Sequence, residues 1–523
     1  MEFAGRAWRR TPTYIKTTFF SACLIGVLIH IFVLTNILPN LDSISTFHGE
    51  NIGIMSGRWF SQYTGAISSV FGMPWVTGLL GIIYIAFSAC LVVFMLKIHD
   101  NFACMVVSGL MVSMPTVACA MAFIQPVDVI FSGNLLAFSA VFIADRYKYG
   151  FIVATIPLAL SMGCYQVCFG LASGFMVMLL IMEILGNQTD WKKTLLKGCR
   201  FVCTLIAGMI FYFVMVRVTT VSVPLSPYRG LDNIGHIPLS MIPASIMDAY
   251  KSAFASFFLN EQHIHYLFMP ILFAVSLFLC GFLLVIWCIR KKIYSSPPKL
   301  IFLIILLLIF PLGFNIIYVM SPFSRPDLLM IYSIVFVPIL MLAITSLFGK
   351  PLSDEGAMKR KDRALSSMVN LSCWAITLTL IIAIFGYGIV ANKAYFKMYF
   401  TFQQTYAQSI QLASHIQDAD GYTIQKTVVL LGRMDDDPDN YPNAFPELDS
   451  IQMRGVTSSK TLLSEYSYDR FLHRFVDFPN PISRMKKSDV EDAAASKIIK
   501  KMPKYPKAGS IVSIGDTIYV NFS

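Results

Sequence analysis

Long apolar runs separated by short polar stretches dominate the chain. Eleven are legible, at roughly 17–38, 74–96, 102–123, 130–144, 149–164, 168–186, 201–222, 266–289, 299–320, 328–347 and 370–391. Most reach the roughly 20 residues that an α-helix needs to cross a bilayer core. The runs are continuous rather than alternating, which predicts spanning helices and not a β-barrel. Two of them, 130–144 and 149–164, are short for a full crossing and read as tilted half-helices around a cavity. A polar pattern takes over after the last run. There Ala391–Ile416 reads as a helix and Thr427–Leu431 as a buried strand. Ile511–Ile514 and Thr517–Val520 flank Gly515-Asp516 and read as a hairpin. Between runs, the proline-containing segment 223–264 holds an amphipathic stretch, Met241–Leu259, suited to lie along a membrane surface.

Composition agrees with the pattern. The chain has 523 residues, 56% of them hydrophobic and 14% charged, where a soluble domain carries about 25% charged residues. Mean hydropathy is +0.64. The fold class expected is a polytopic α-helical membrane protein with about eleven spans and a small C-terminal α/β domain. The net charge of +11 does not point to nucleic acid, because its basic residues are scattered among short loops. They follow the positive-inside rule instead. With the N-terminus (Arg6, Arg9, Arg10, Lys16) in the cytoplasm, later inside loops hold Lys97, Arg146, Lys148, Lys192, Lys193, Lys197, Arg200, Arg290–Lys292 and Lys359–Lys361. The outer segments hold few basic residues, notably Arg58 and Arg325. This parity divides the chain at 1–391, membrane domain, and 392–523, an outside domain. The first run lacks a cleavage site and is expected to remain as an anchor. The eleven cysteines stop at Cys373 and sit mostly in apolar runs, so no disulfide framework is expected. Cys199 and Cys203 have no partner ligands for a metal.

Ionisable residues at membrane depth are costly and are functional candidates by default. On the outer side this topology gathers Asp42, Glu50, Arg58, Asp128, Arg217 and Arg325. Asp42, just past the first run, has two readings: a base that takes the proton of an attacking hydroxyl, or a loop acid or helix N-cap. Glu50 has the same pair. Asp128, in Gln125-Pro126-Val127-Asp128, either assists the base or serves a tight turn. Arg325, in a short turn between Ser321 and Asp327, either clamps a phosphate or snorkels to the headgroups or pairs with Asp327. Arg58 has similar readings. Trp59 fits an interfacial belt or a sugar-stacking platform, and Tyr165 and Gln166 supply hydrogen bonds suited to a sugar. Asp435-Asp436-Asp437 resembles the metal motif of soluble glycosyltransferases, but a solvated loop ended by Pro438 explains it better. No P-loop, dinucleotide fingerprint or zinc-protease motif is present.

The segment from Asp42 to Ser56-Gly57-Arg58-Trp59-Phe60 resembles the first loop of the GtrII-like, serotype-converting O-antigen glucosyltransferases. The resemblance continues through Asp128, Gly163-x-Tyr165-Gln166, the Arg325 turn, Met502–Pro506 and Gly509-Ser510-Ile511. It implies the GT-C architecture and a bacterial inner-membrane location with a periplasmic C-terminal domain. It also implies inverting transfer of glucose from undecaprenyl-phosphate-glucose to an O-antigen sugar, with no cofactor or metal ligand set assigned. Upstream, a flippase and a polyprenyl-phosphate glucosyltransferase would supply the donor. By resemblance Asp42 is the base, Asp128 an assisting acid and Arg325 a phosphate ligand. Some members carry two adjacent acids in the first loop, where this chain has Asp42 followed by Ser43. The division of roles between Asp42 and Glu50 therefore stays open. Two other classes compete: a lipid-linked sugar transporter or flippase, and a non-catalytic polysaccharide assembly protein. Mid-span positions are almost all apolar, which disfavours a polar pathway. The first-loop acid and the Arg325 turn disfavour a purely structural role.

Overall fold

The computed structural model describes residues 9–45, 52–124, 127–186, 190–221, 225, 238–259, 265, 268–322, 326–348, 360–432, 446–448, 450–456, 462, 468–489 and 493–523. Contacts divide the chain into two compact units. The first comprises Met1–Asn36, His48–Met121 and Gln125–Asn392, and the second Ile37–Phe47, Ala122–Ile124 and Lys393–Ser523. The second unit thus takes in two short segments, Ile37–Phe47 and Ala122–Ile124, that lie far from it in sequence.

The first unit is helical. Among the described residues eight helices are long and apolar enough to cross a membrane: Thr13–Thr35, Pro74–Leu96, Val127–Arg146, Cys168–Gly186, Trp191–Thr219, Met269–Arg290, Pro297–Phe314 and Arg363–Gln417. Asn101–Ser113 and Pro115–Met121 make a ninth if taken together, bent by 46°. Pro115 sets that bend, since a proline cannot donate to the preceding turn. The remaining two apolar runs form the shorter helical stretches Gly150–Cys164 and Tyr332–Ser346. The fourth run, read as short, is a full 20-residue helix that starts at Val127, three residues before the apolar run itself.

Val127–Arg146 is central to the unit, packing on Pro74–Leu96, Thr155–Cys164 and Cys168–Gly186. Small residues permit this, as is usual between membrane helices. A Cβ on Gly133 would stand 2.9 Å from Cys164 Cβ and 3.1 Å from Cys168 Sγ. Burial ranks the helices. In the most apolar window of Cys168–Gly186, 83% is buried, against 22% for Met269–Arg290. The second helix exposes Ile271, Val275, Leu277 and Phe278, an apolar surface suited to lipid rather than water. At the Arg146 end, Lys197 pairs with Asp145 and with Glu183 at 2.7 Å, and Thr194 donates to Glu183 at 3.0 Å. One lysine thus ties three helices together. The amphipathic stretch near 241–259 is the helix Ile242–Phe258.

The second unit is built on a four-stranded sheet of order β2-β1-β4-β3, with β1 Thr427–Leu431, β2 Ile482–Met485, β3 Ile511–Ile514 and β4 Thr517–Asn521. β1 pairs in parallel with β2 and β4, and β3 with β4 is the antiparallel hairpin read in the sequence. β2, Ile-Ser-Arg-Met, is short and half polar and carries no strand pattern of its own. Alternation along β1 explains the two cores. Val428 and Leu430 face a core with Leu412, Ile416, Phe471, Leu472, Ile518 and Val520. Val429 and Leu431 face the opposite side, with Ala495, Ile499 and Met502. β1 is covered on both faces, so its four buried residues, Val428–Leu431, are all apolar. The helix read at Ala391–Ile416 is the last part of one helix, Arg360–Gln417, which starts in the first unit and ends in the second.

Candidate active site

The first loop re-enters the helical unit after Ile52–Met55. Gly57 sits at φ +71°, a conformation glycine adopts without a Cβ penalty, and this turns the chain so that Arg58, Trp59 and Phe60 follow into the unit. Two backbone carbonyls of the turn are held from distant helices. Gln166 Nε2 donates to Ser56 O at 2.5 Å, and the Tyr212 hydroxyl donates to Gly57 O at 3.1 Å. The Gln166 side chain also bonds to Tyr212. Phe60 N–H donates to Gly163 O at 2.9 Å, and the Trp59 ring lies so close to Gly163 that a Cβ there would approach it to 2.8 Å. The Ser56–Phe60 and Gly163–Gln166 motifs, about a hundred residues apart, therefore dock on one another.

The docked loop shapes the side chains. The Arg58 guanidinium lies 4.5 Å from the centre of the Tyr165 ring, a cation–π contact. Trp59 is buried with Ala159, Met162, Phe169, Tyr212 and Val216. Asp128 is 1% exposed and stands in the first turn of Val127–Arg146. Its Oδ1 accepts from Val129 N–H at 3.0 Å, with the Ser68 hydroxyl beside the carboxylate. Asp128 lies within electrostatic reach of Tyr84 and Cys164. Arg58 lies within reach of Cys168 and Tyr212. Asp128 thus comes near Cys164 and Arg58 near Cys168, at the two ends of one turn. Asn134, one helical turn and a half below Asp128, accepts from Cys168 Sγ at 3.3 Å.

Among the described residues, four buried polar atoms of these side chains have no hydrogen-bond partner: Arg58 Nε, Trp59 Nε1, Asp128 Oδ2 and Asn134 Nδ2. Leaving a buried polar atom unpaired costs about 1–3 kcal/mol, and more for a charged one. Proteins rarely tolerate this without a reason. The four atoms are three N–H donors and one carboxylate oxygen, the types of group that pair with hydroxyls or phosphate. Among the described residues no group of three His, Cys, Asp or Glu side chains gathers as a metal site, and no disulfide joins two cysteines.

Asp42 lies exposed in the short helix Leu41–Ser45 of the second unit. It is not the N-cap, since Asn40 caps this helix through Ser43 N–H at 2.7 Å. Glu50, Arg325 and Asp435–Asp437 lie outside the described residues. Arg217 is exposed in the last turn of Trp191–Thr219. Tyr165 and Gln166 are at the site, Tyr165 under the Arg58 cation and Gln166 as a clamp on the loop backbone. Sequence reading missed Tyr212 and Asn134. Their signal was a hydroxyl and an amide inside otherwise apolar runs, which periodicity alone does not separate from packing.

Residues 31–343 match the family model of the glucosyl transferase GtrII. No curated protein and no solved structure matches the chain. The matched segment covers more than half of the chain and contains the docked loop, Asp128 and the Gly163–Gln166 turn, so the protein belongs to the GtrII glucosyl transferase family.

Proposed function

We propose that this membrane glucosyltransferase moves glucose from undecaprenyl-phosphate-glucose to a sugar of the lipopolysaccharide O-antigen at the periplasmic face of the inner membrane, modifying the antigen. The architecture proposed is GT-C with eleven spans: the eight long helices, the bent pair and the two shorter apolar stretches. In this reading the cell's flippase and polyprenyl-phosphate glucosyltransferase provide the donor. The observation that carries it is the set of unpartnered buried polar atoms on Arg58, Trp59, Asp128 and Asn134, in a chain of a glucosyltransferase family.

The chemistry follows from these groups. A lipid-bound phosphate leaving group needs cationic stabilisation, which Arg58 and, by resemblance, Arg325 supply. The indole of Trp59 and the Asp128 carboxylate offer a donor and an acceptor to sugar hydroxyls. By resemblance Asp42 takes the proton from the attacking hydroxyl, with Asp128 assisting. One base suffices if the hydroxyl displaces the phosphate in a single inverting step, and Glu50 is the alternative holder of that role. Asp42→Asn tests the assignment in membranes supplied with the polyprenyl-phosphate-glucose donor and O-antigen acceptor. Transfer should be lost while expression and insertion persist. Full transfer by that variant would sink the base assignment.

A further inference from the structure

We infer that Ser68 is a positioning residue for Asp128, with a hydroxyl that pairs with its carboxyl group in both protonation states; the part in transfer rests on the reading of Asp128 as the assisting acid. Ser68, Asp128 and their neighbours named below all belong to the first unit.

After Phe60 the first loop runs on through the short helices Ser61–Gly65 and Ala66–Ser68. This second leg packs on Val127–Arg146. Two contacts set its place. The Thr64 hydroxyl lies 3.7 Å from Cys164 Sγ, and a Cβ on Gly65 would stand 3.4 Å from Val129. Ser68 follows one turn later and is 3% exposed. Its hydroxyl comes within hydrogen-bonding reach of the Asp128 carboxyl group. Both side chains are shut away from water, where a polar group without a partner is costly.

The turn that delivers Ser68 is strained. Ser69 and Val70 sit at φ +61° and +55°, a left-handed conformation that a β-branched residue rarely adopts. Backbone bonds hold them there. Ser69 N–H donates to Ala66 O at 3.1 Å, and Val70 N–H to Gly65 O at 2.9 Å. Such strain persists only where the surroundings over-determine it, and it clusters at functional sites.

The single proton of the hydroxyl defines its role. Ser68 Oγ carries one proton and two lone pairs. That proton goes to Gly65 O at 3.0 Å, so in this arrangement Asp128 is offered lone pairs only. A carboxylate cannot use them, whereas a neutral carboxyl group donates its O–H to them. Gly65 O also accepts from Val70 N–H. The Ser68 proton can therefore turn to an ionised Asp128 and leave no carbonyl unpaired. When Asp128 takes the proton of a sugar hydroxyl, that oxygen keeps the electron pair and the carboxylate gains an O–H bond. Ser68 then turns back to accept from the new donor, and itself gains and loses nothing.

The test uses the full-length protein in proteoliposomes, as Ser68→Ala, Ser68→Thr, Asp128→Asn and the double variant Ser68→Ala with Asp128→Asn. The contact is read in acid-minus-neutral infrared difference spectra, where the carboxyl C=O band missing from Asp128→Asn belongs to Asp128. Tyr84 and Cys164, the titratable side chains also in electrostatic reach, give no such band. Ser68→Ala should shift the Asp128 band, and Ser68→Thr should keep it near its wild-type place. An unmoved band, or no Asp128 band at any pH, overturns the proposal. The role is read in transfer kinetics with the polyprenyl-phosphate-glucose donor. Ser68→Ala should lower kcat roughly five- to tenfold, the value of one hydrogen bond, with donor KM unchanged. Ser68→Thr should restore most of that loss. The double variant should be no slower than Asp128→Asn, because without the acid the hydroxyl has nothing to position. Wild-type kcat in Ser68→Ala, or a further loss in the double variant, overturns the positioning role while Asp128 keeps its own. Full transfer by Asp128→Asn instead removes the assisting acid itself.

Discussion

Gly57→Ala strikes the contact on which the candidate site depends. The residue sits at φ +71°, where a Cβ costs about 1–2 kcal/mol. The new methyl would also stand 2.8 Å from Tyr212 Oη and 3.2 Å from Gln166 Nε2. Relieving the first approach moves the hydroxyl off Gly57 O, a hydrogen bond of 3.1 Å with a net value of about 1 kcal/mol. The sum is about 2–3 kcal/mol against the docked loop, equivalent to roughly a 30- to 150-fold shift. Arg58 and Trp59 follow directly, so transfer activity in proteoliposomes should fall by up to that factor. Tyr212→Phe alone loses only the hydrogen bond, about 1 kcal/mol or roughly fivefold. The double variant should cost less than the sum, because phenylalanine removes the atom that the new methyl meets. Wild-type transfer and melting in Gly57→Ala would refute the docking of the loop. Strictly additive losses in the double variant would refute the part assigned to Tyr212.

Further outcomes follow from the same geometry. Asp128→Asn should reduce transfer by roughly 10- to 100-fold, the scale of a lost acid–base contribution. It should leave the detergent melting temperature unchanged or raised, since a buried carboxylate with one unpartnered oxygen carries a desolvation cost. A large fall in melting temperature would show that the carboxylate is structural. Gly163→Ala places a Cβ 2.8 Å from Trp59 and 2.9 Å from Phe60. It should expel the Trp59 ring, seen as a red shift in tryptophan emission against a Trp59→Phe control, and cost most of the activity. Lys197→Ala leaves Asp145 and Glu183 facing each other without their cation. With all three side chains about a quarter exposed or less, it should destabilise by about 1–2 kcal/mol, read as a lower melting temperature. Donor KM should stay unchanged, because the triad lies at the opposite end of Val127–Arg146 from Asp128.

How far the fold was legible depends on where its information is stored. Each apolar run became a helix because hydrophobicity over about 20 residues is a local property. β1 and the β3–β4 hairpin were legible for the same reason, being a short apolar run and two runs around Gly515-Asp516. β2, Ile-Ser-Arg-Met, carries no such signature and becomes a strand only because β1 offers it an edge. The start of the fourth helix was missed because Val127 and Asp128 precede its apolar run. That shift moves Asp128 from an open turn into a buried first turn.

The site divides in the same way. Arg58, Trp59, Asp128, Tyr165 and Gln166 were recognisable as polar or aromatic residues at span ends. That Gln166 would hold the backbone of Ser56 was not. That Asp128 would come near Cys164 and Arg58 near Cys168 was not legible either.

By itself the sequence determined the membrane class, the helical elements and which polar side chains stand among the apolar runs. All of these depend on neighbours within a few turns. Tertiary structure decided which of those residues meet. It joined Gly57 to Tyr212 across more than 150 positions, left Asp128 Oδ2 without a partner and seated the Asp42 helix on Phe471, Leu472 and Arg474. Such pairings depend on the packing of whole helices and on the burial each side chain gains there, and no local pattern encodes them.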